Sequence, residues 1–263
     1  MAVLTTHAAK YSILELNVSG REKIAAGVLL QDSERDHLYL RLRRDWDQIV
    51  PEEAEVLSLL ESDLNAKAKE MGAESLFEYL EGALSNLLTI GDRSETMVGD
   101  FPRALNRLYR QNVHTSVREF VTHVPRYSLA VAAGKFLDND EVTEEGWEEL
   151  PPGVKPAKEL FAAQIAGRSM EPLIPDQSLC LFRFGVAGSR NEKLVLVEML
   201  GRGTNDRYTV KRYRSEKIQD AEGNWSHARI RMEPLNPEFE VWDLDANDAE
   251  NLRVIAEFVG VLD

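Results

Sequence analysis

Gly167-Arg-Ser-Met-Glu-Pro-Leu-Ile-Pro-Asp176 is the stretch on which the reading of this 263-residue chain turns. An apolar strand from Phe161 to Ala166 runs into Gly167, and Ser169 lies just past the bend. A serine on such a turn can present its hydroxyl while backbone N–H groups beside it face a developing oxyanion. A Gly-x-Ser turn is also a common structural device, so the rest of the chain has to decide what this one is for.

Downstream, Arg207-Tyr-Thr-Val-Lys-Arg-Tyr213 reads as a strand on which Thr209, Lys211 and Tyr213 share one face and Val210 and Arg212 the other. A lysine desolvated in such a run favours its neutral amine, which can serve as a general base. A Ser–Lys pair can then do the work of a serine–histidine–aspartate triad. Upstream, Tyr127-Ser-Leu-Ala-Val-Ala-Ala-Gly-Lys-Phe136 places small side chains around Ala133–Gly134, which leaves that peptide sterically open to attack.

The three motifs together resemble the LexA/UmuD-type self-cleaving serine peptidases, with their signal-peptidase-like fold. The resemblance runs from about Ser128 to Asp263 and keeps the family's order: Val131-Ala-Ala-Gly134, then Gly-x-Ser-Met with Pro-x-Ile-Pro-Asp, then Thr-Val-Lys-Arg. Separations of 35 residues from Gly134 to Ser169 and 42 from Ser169 to Lys211 are of the family's kind. Leu235-Asn-Pro-Glu-Phe-Glu240 and Ala256-Glu-Phe-Val-Gly-Val261 look like its late strands. The resemblance implies Ser169 as nucleophile, Lys211 as general base and Ala133–Gly134 as the bond cut. It implies an oxyanion hole from the backbone amides of Arg168 and Ser169, with Gly167 and Met170 flanking the nucleophile. It further implies that the chain's own arm is the substrate, that the protein is a homodimer acting in an SOS-type response, that a RecA filament can be the inducing partner, and that no cofactor or metal takes part. Two departures are visible: Gln177-Ser178 follow Asp176 where the family usually has Gly then Asp, and an atypical acidic αβ domain over 1–125 precedes the cleavage site where LexA-like repressors carry a DNA-binding helix-turn-helix and UmuD-like proteins a short arm.

Outside these motifs the expectation is an α+β chain of one to two domains. Tyr11–Val18, Ile24–Leu30 and His37–Leu42 read as an antiparallel meander, with turns at Ser19-Gly20 and Gln31–Glu34. Pro51-Glu-Glu-Ala opens a helix with Val56, Leu57, Leu59, Leu60 and Leu64 at helical spacing. A second helix carries Leu76, Phe77, Leu80 and Leu84, and a third Leu105, Leu108 and Tyr109. The first two could mimic a helix-turn-helix, but Glu74, Glu78 and Glu81 would repel a phosphate backbone. The division expected is an N-terminal antiparallel sheet with helices over 1–125, a cleavage-site arm and acidic linker over 126–158, and a mostly-β LexA-like peptidase domain over 159–263. The opening segment also resembles a small bacterial domain of unknown function.

Composition narrows the partners. Thirty-one basic and 45 acidic side chains give −14, which argues against broad phosphate-backbone binding. Seven acids lie between Asp138 and Glu149. One cysteine, Cys180, precludes an internal disulfide and fits a reducing cytoplasm. No run of 18 apolar residues suggests a membrane span, and the start carries no secretory signal. Two other functions remain open: a DNA-binding repressor using Arg41, Arg43 and Arg44 or Arg103, Arg107 and Arg110 as its basic face, and a UmuD-like interaction module in which the peptidase fold mainly dimerises. His7, His37, His114, His123 and His227 lack metal-ligand spacing, and Trp147 reads as an anchor for the acidic arm.

Overall fold

The computed structural model describes residues 6–18, 20, 22–83, 87–138, 144–200, 207–219, 225–244 and 251–262. They form two units, one ending at Ser116 and the other running from Val117 to Leu262. The fold is α+β throughout: an N-terminal antiparallel sheet with helices, then a C-terminal sheet made mostly of strands.

The first unit is built on the expected meander, β1 (His7–Leu16), β2 (Ile24–Asp32) and β3 (His37–Leu42), paired antiparallel with Tyr11 opposite Leu30 and Leu30 opposite Tyr39. At the β2–β3 turn the Asp32 carboxylate accepts the N–H groups of Glu34 and Arg35, and Asp36 takes a positive φ of 48°. After α1 (Trp46–Ile49) come α2 (Ala54–Met71) and α3 (Ala73–Ala83), then β4 (Leu88–Ile90), β5 (Ser94–Val98) and α4 (Phe101–Asn112). Both β4 and β5 pair with β1.

β2 explains the layering. Its Ala-Ala-Gly-Val-Leu-Leu run does not alternate because both faces are covered. Leu29 packs with Leu57, Leu64, Leu76 and Phe77 of α2 and α3, whereas Val28 and Leu30 pack with Leu105, Leu108 and Tyr109 of α4. Gly72, at φ 87°, ends α2, as a residue free to adopt the left-handed region should. Asp100 caps α4 by accepting the Arg103 N–H at 3.0 Å, with Pro102 in the first turn.

The second unit comprises β6 (His123–Arg126), α5 (Leu129–Asp138), β7 (Gly146–Glu149), β8 (Leu160–Ile165), β9 (Ser178–Phe184), β10 (Leu194–Met199), β11 (Tyr208–Gln219), β12 (Trp225–Glu233), β13 (Trp242–Leu244) and β14 (Leu252–Val261). Its strands form one sheet in the order β13-β12-β11-β10-β14-β9-β8-β6-β7. Where the sequence suggests an arm and linker, the chain instead contributes β6 and β7 to the end of this sheet, with α5 between them. The acidic stretch is partly paired, since Arg126 meets Glu148 at 3.0 Å. Trp147 sits on β7, edge-on to Phe120 at 5.1 Å. Stacked Phe161, Phe182 and Phe184 fill the centre, and Cys180 lies fully buried beside them.

Candidate active site

β8 delivers the chain to Gly167, whose φ of 110° lies in the region that favours glycine. The Gly167 N–H donates to the Asp176 carboxylate at 2.6 Å, so the last residue of the motif closes the loop that the first opens. Between them, Met170 and Ile174 turn inward and are buried with Ile165, Cys180 and Ile255. Burying two such side chains stabilises the loop by about 1.5–3 kcal/mol each. Gln177, at φ 62°, occupies the left-handed position where a glycine would be unstrained, and its side-chain amide donates to Asp176 at 3.3 Å.

Ser169 is left half-buried at the loop's crest. Lys211 reaches it from β11: Nζ lies 2.6 Å from Oγ. The lysine is 4% exposed, its amine lying 5.3 Å from the centroid of the Trp242 ring. The turn, β11 and the segment before β13 enclose a cleft of about 190 Å3, with Ser169 and Lys211 in its wall beside Tyr208, Thr209, Phe239 and Trp242. Burial, and then the charge of Glu198, push the Tyr208 phenol above its usual range, so it stays a neutral donor to Glu198 at 3.2 Å.

The backbone of the turn is held from within, where the Arg168 carbonyl accepts the Glu171 N–H at 3.2 Å, and from the segment after β12. The Ser169 carbonyl accepts the N–H groups of Leu235 and Asn236, both at 3.0 Å, and the Arg168 carbonyl accepts the side-chain amide of Asn236 at 3.1 Å. Among the described residues, no acceptor meets the backbone N–H of Arg168 or of Ser169. Sequence reasoning missed Asn236, although the Leu-Asn-Pro run is distinctive. It likewise missed the aromatic wall of Tyr208, Phe239 and Trp242, since nothing local reveals that these residues converge.

Ser169 and Lys211 are thus brought together, and Gly167, Arg168 and Met170 flank them. Ala133 and Gly134 are not at the cleft. They lie within α5, and Ala132 and Ala133 are buried in the same cluster as Met170 and Ile174. Among the described residues, no three His, Cys, Asp or Glu side chains converge as a metal site requires. Among the described residues, no helix is long and apolar enough to cross a membrane.

A serine hydroxyl and a buried lysine amine are therefore in contact at the wall of a cleft, on a mostly-strand sheet. Residues 125–259 match the profile of the Peptidase S24-like family, and the chain belongs to that family. No curated protein matches the chain.

Proposed function

We propose that the protein is a serine endopeptidase that cuts its own Ala133–Gly134 bond with a Ser169–Lys211 dyad, as a dimeric, cytoplasmic bacterial switch answering stress or DNA damage. The observation that carries this reading is the 2.6 Å contact between Lys211 Nζ and Ser169 Oγ at the cleft. The Lys211 amine, once it has lost its own proton, takes the hydroxyl proton as Oγ attacks the Ala133 carbonyl. The oxyanion then meets the free N–H groups of Arg168 and Ser169, and Lys211 returns the proton to the leaving Gly134 amine. Water hydrolyses the resulting ester.

For the bond to reach Ser169, α5 has to unwind, because a helix hides its carbonyls in its own hydrogen bonds. Ala133 lies seven residues beyond Arg126, the end of β6. Extended, that length spans roughly 25 Å, so attack within one chain is feasible. The bond's helical form is a natural off-state, and an inducing partner such as a RecA filament would act by favouring the unwound one.

The test is incubation of pure protein from pH 7 to about 10, near the ordinary lysine pKa, with the fragments weighed. Two products meeting at Ala133–Gly134 are expected, forming faster as pH rises and absent in Ser169→Ala and Lys211→Met. Persistence of the intact chain across that range would remove the reading. Burial pushes both Tyr208 and Tyr213 above the usual tyrosine range, so loss of the alkaline rise in Lys211→Met is what would assign it to the lysine. Mixing Ser169→Ala with active protein separates cis from trans attack: cleavage of the inactive chain means trans.

DNA repression gains no support from the first of the two arginine groups. Arg41 and Arg43 are each 2% exposed, one stacked on Tyr109 at 4.0 Å and the other paired with Asp45. Neither can contribute to a basic surface.

A further inference from the structure

Asn236 sits on the segment between β12 and β13, is 9% exposed, and directs every polar group it has at a backbone. Its Nδ2 donates to the Arg168 carbonyl at 3.1 Å, its own N–H donates to the Ser169 carbonyl at 3.0 Å, and its Oδ1 accepts the Glu238 N–H at 3.0 Å. In a trans peptide the C=O and the following N–H point in opposite directions. Whatever grips the Arg168 carbonyl therefore also sets where the Ser169 N–H points: the Glu171 N–H grips it at 3.2 Å from within the turn and the Asn236 amide at 3.1 Å from outside it, and the Ser169 N–H itself meets no acceptor among the described residues. An unsatisfied donor beside a nucleophile is what a developing oxyanion needs, but only if its direction is fixed beforehand.

We propose that Asn236 is a positioning residue for the nucleophile turn: its side-chain amide, by holding the Arg168 carbonyl, aims the Ser169 N–H at the place where the oxyanion forms. Lys211 and the Ser169 hydroxyl are untouched by this clamp, so proton transfer and oxyanion stabilisation are separately controlled. The proposal rests on the Ser169–Lys211 reading for its consequence in catalysis, but the clamp itself is a matter of geometry.

The informative variant is Asn236→Asp. It keeps Oδ1 for the Glu238 N–H and so keeps the local turn, yet it has no donor for the Arg168 carbonyl. In the full chain, self-cleavage is expected to slow by roughly tenfold to a hundredfold at every pH, somewhat less than for outright loss of an oxyanion donor. The shape of the pH profile should match wild type, because Lys211 still takes the proton. A rate within twofold of wild type overturns the proposal, and so does a profile displaced along the pH axis in Asn236→Ala, which adds no charge and whose displacement would mean that Asn236 acts through Lys211; a displacement confined to Asn236→Asp is the effect of its new carboxylate on the amine. Should Asn236→Asp not fold, Asn236→Ala, which retains the backbone donors, is read in the same way. A wild-type chain that stays whole at every pH sinks self-cleavage rather than the clamp. The crystal structure of the variant then decides: a rotated Arg168–Ser169 peptide supports the clamp, and an unmoved one overturns it.

Discussion

At single positions, burial and pairing together decide what a charge can do. Lys211 is buried against a hydroxyl and an indole. Asp45 is as deeply buried but remains ionised. Burial pushes its carboxyl up, yet the Arg43 guanidinium, which meets both oxygens at 2.8 and 3.0 Å, and the Ser116 N–H outweigh this and hold it below the usual carboxylate range. A depressed carboxyl stabilises the fold above its unfolded pKa of about 3.9, and that contribution is lost as pH falls through the folded value. Asp45→Asn is therefore expected to destabilise the first unit by about 3–5 kcal/mol at pH 7, because it leaves Arg43 buried and uncompensated. Denaturant unfolding at pH 7 and below pH 4 checks this: the gap between variant and wild type should narrow on acidification. A gap independent of pH would show that the pair is not the cause.

Among the elements, α5 departs most from expectation. The small side chains around Ala133–Gly134 suggest an open peptide, yet the Leu-Ala-Val-Ala-Ala stretch is helical. Packing of Ala132 and Ala133 against Met170 and Ile174 favours the helix. The Ser128 hydroxyl caps it by accepting the Val131 N–H at 3.3 Å. Removing that cap in Ser128→Ala costs about 1 kcal/mol of helix stability. If unwinding precedes attack, the same change should speed self-cleavage by up to about fivefold, since 1.4 kcal/mol is a tenfold change in an equilibrium. The rate constant at one alkaline pH measures it, and a slower or unchanged rate would mean that α5 does not have to open.

For the whole molecule, every residue of the proposed chemistry, substrate segment included, lies between Val117 and Leu262. The fragment 117–262, expressed alone, is expected to fold and to cleave itself within about twofold of the full-length rate. Its circular dichroism spectrum and fragment masses check both points. A fragment that folds but does not cut would assign the first unit a part in the reaction.

Local patterning was enough to read the meander, the three longer helices of the first unit, and the candidate pair Ser169 and Lys211 from ordered motifs. Such features depend on side-chain periodicity and on residues near in sequence, which the chain carries in one dimension. Tertiary structure alone decided that 146–149 is a strand rather than a linker, that Ala133–Gly134 is helical, that Arg41 and Arg43 are internal, and that Asn236 holds the nucleophile turn. Each of these depends on which distant surfaces meet: a strand becomes one by finding an edge, and an arginine is buried only if a carboxylate or ring is waiting. Those partners lie up to 71 residues away, as with Asp45 and Ser116, and no local pattern encodes such a meeting.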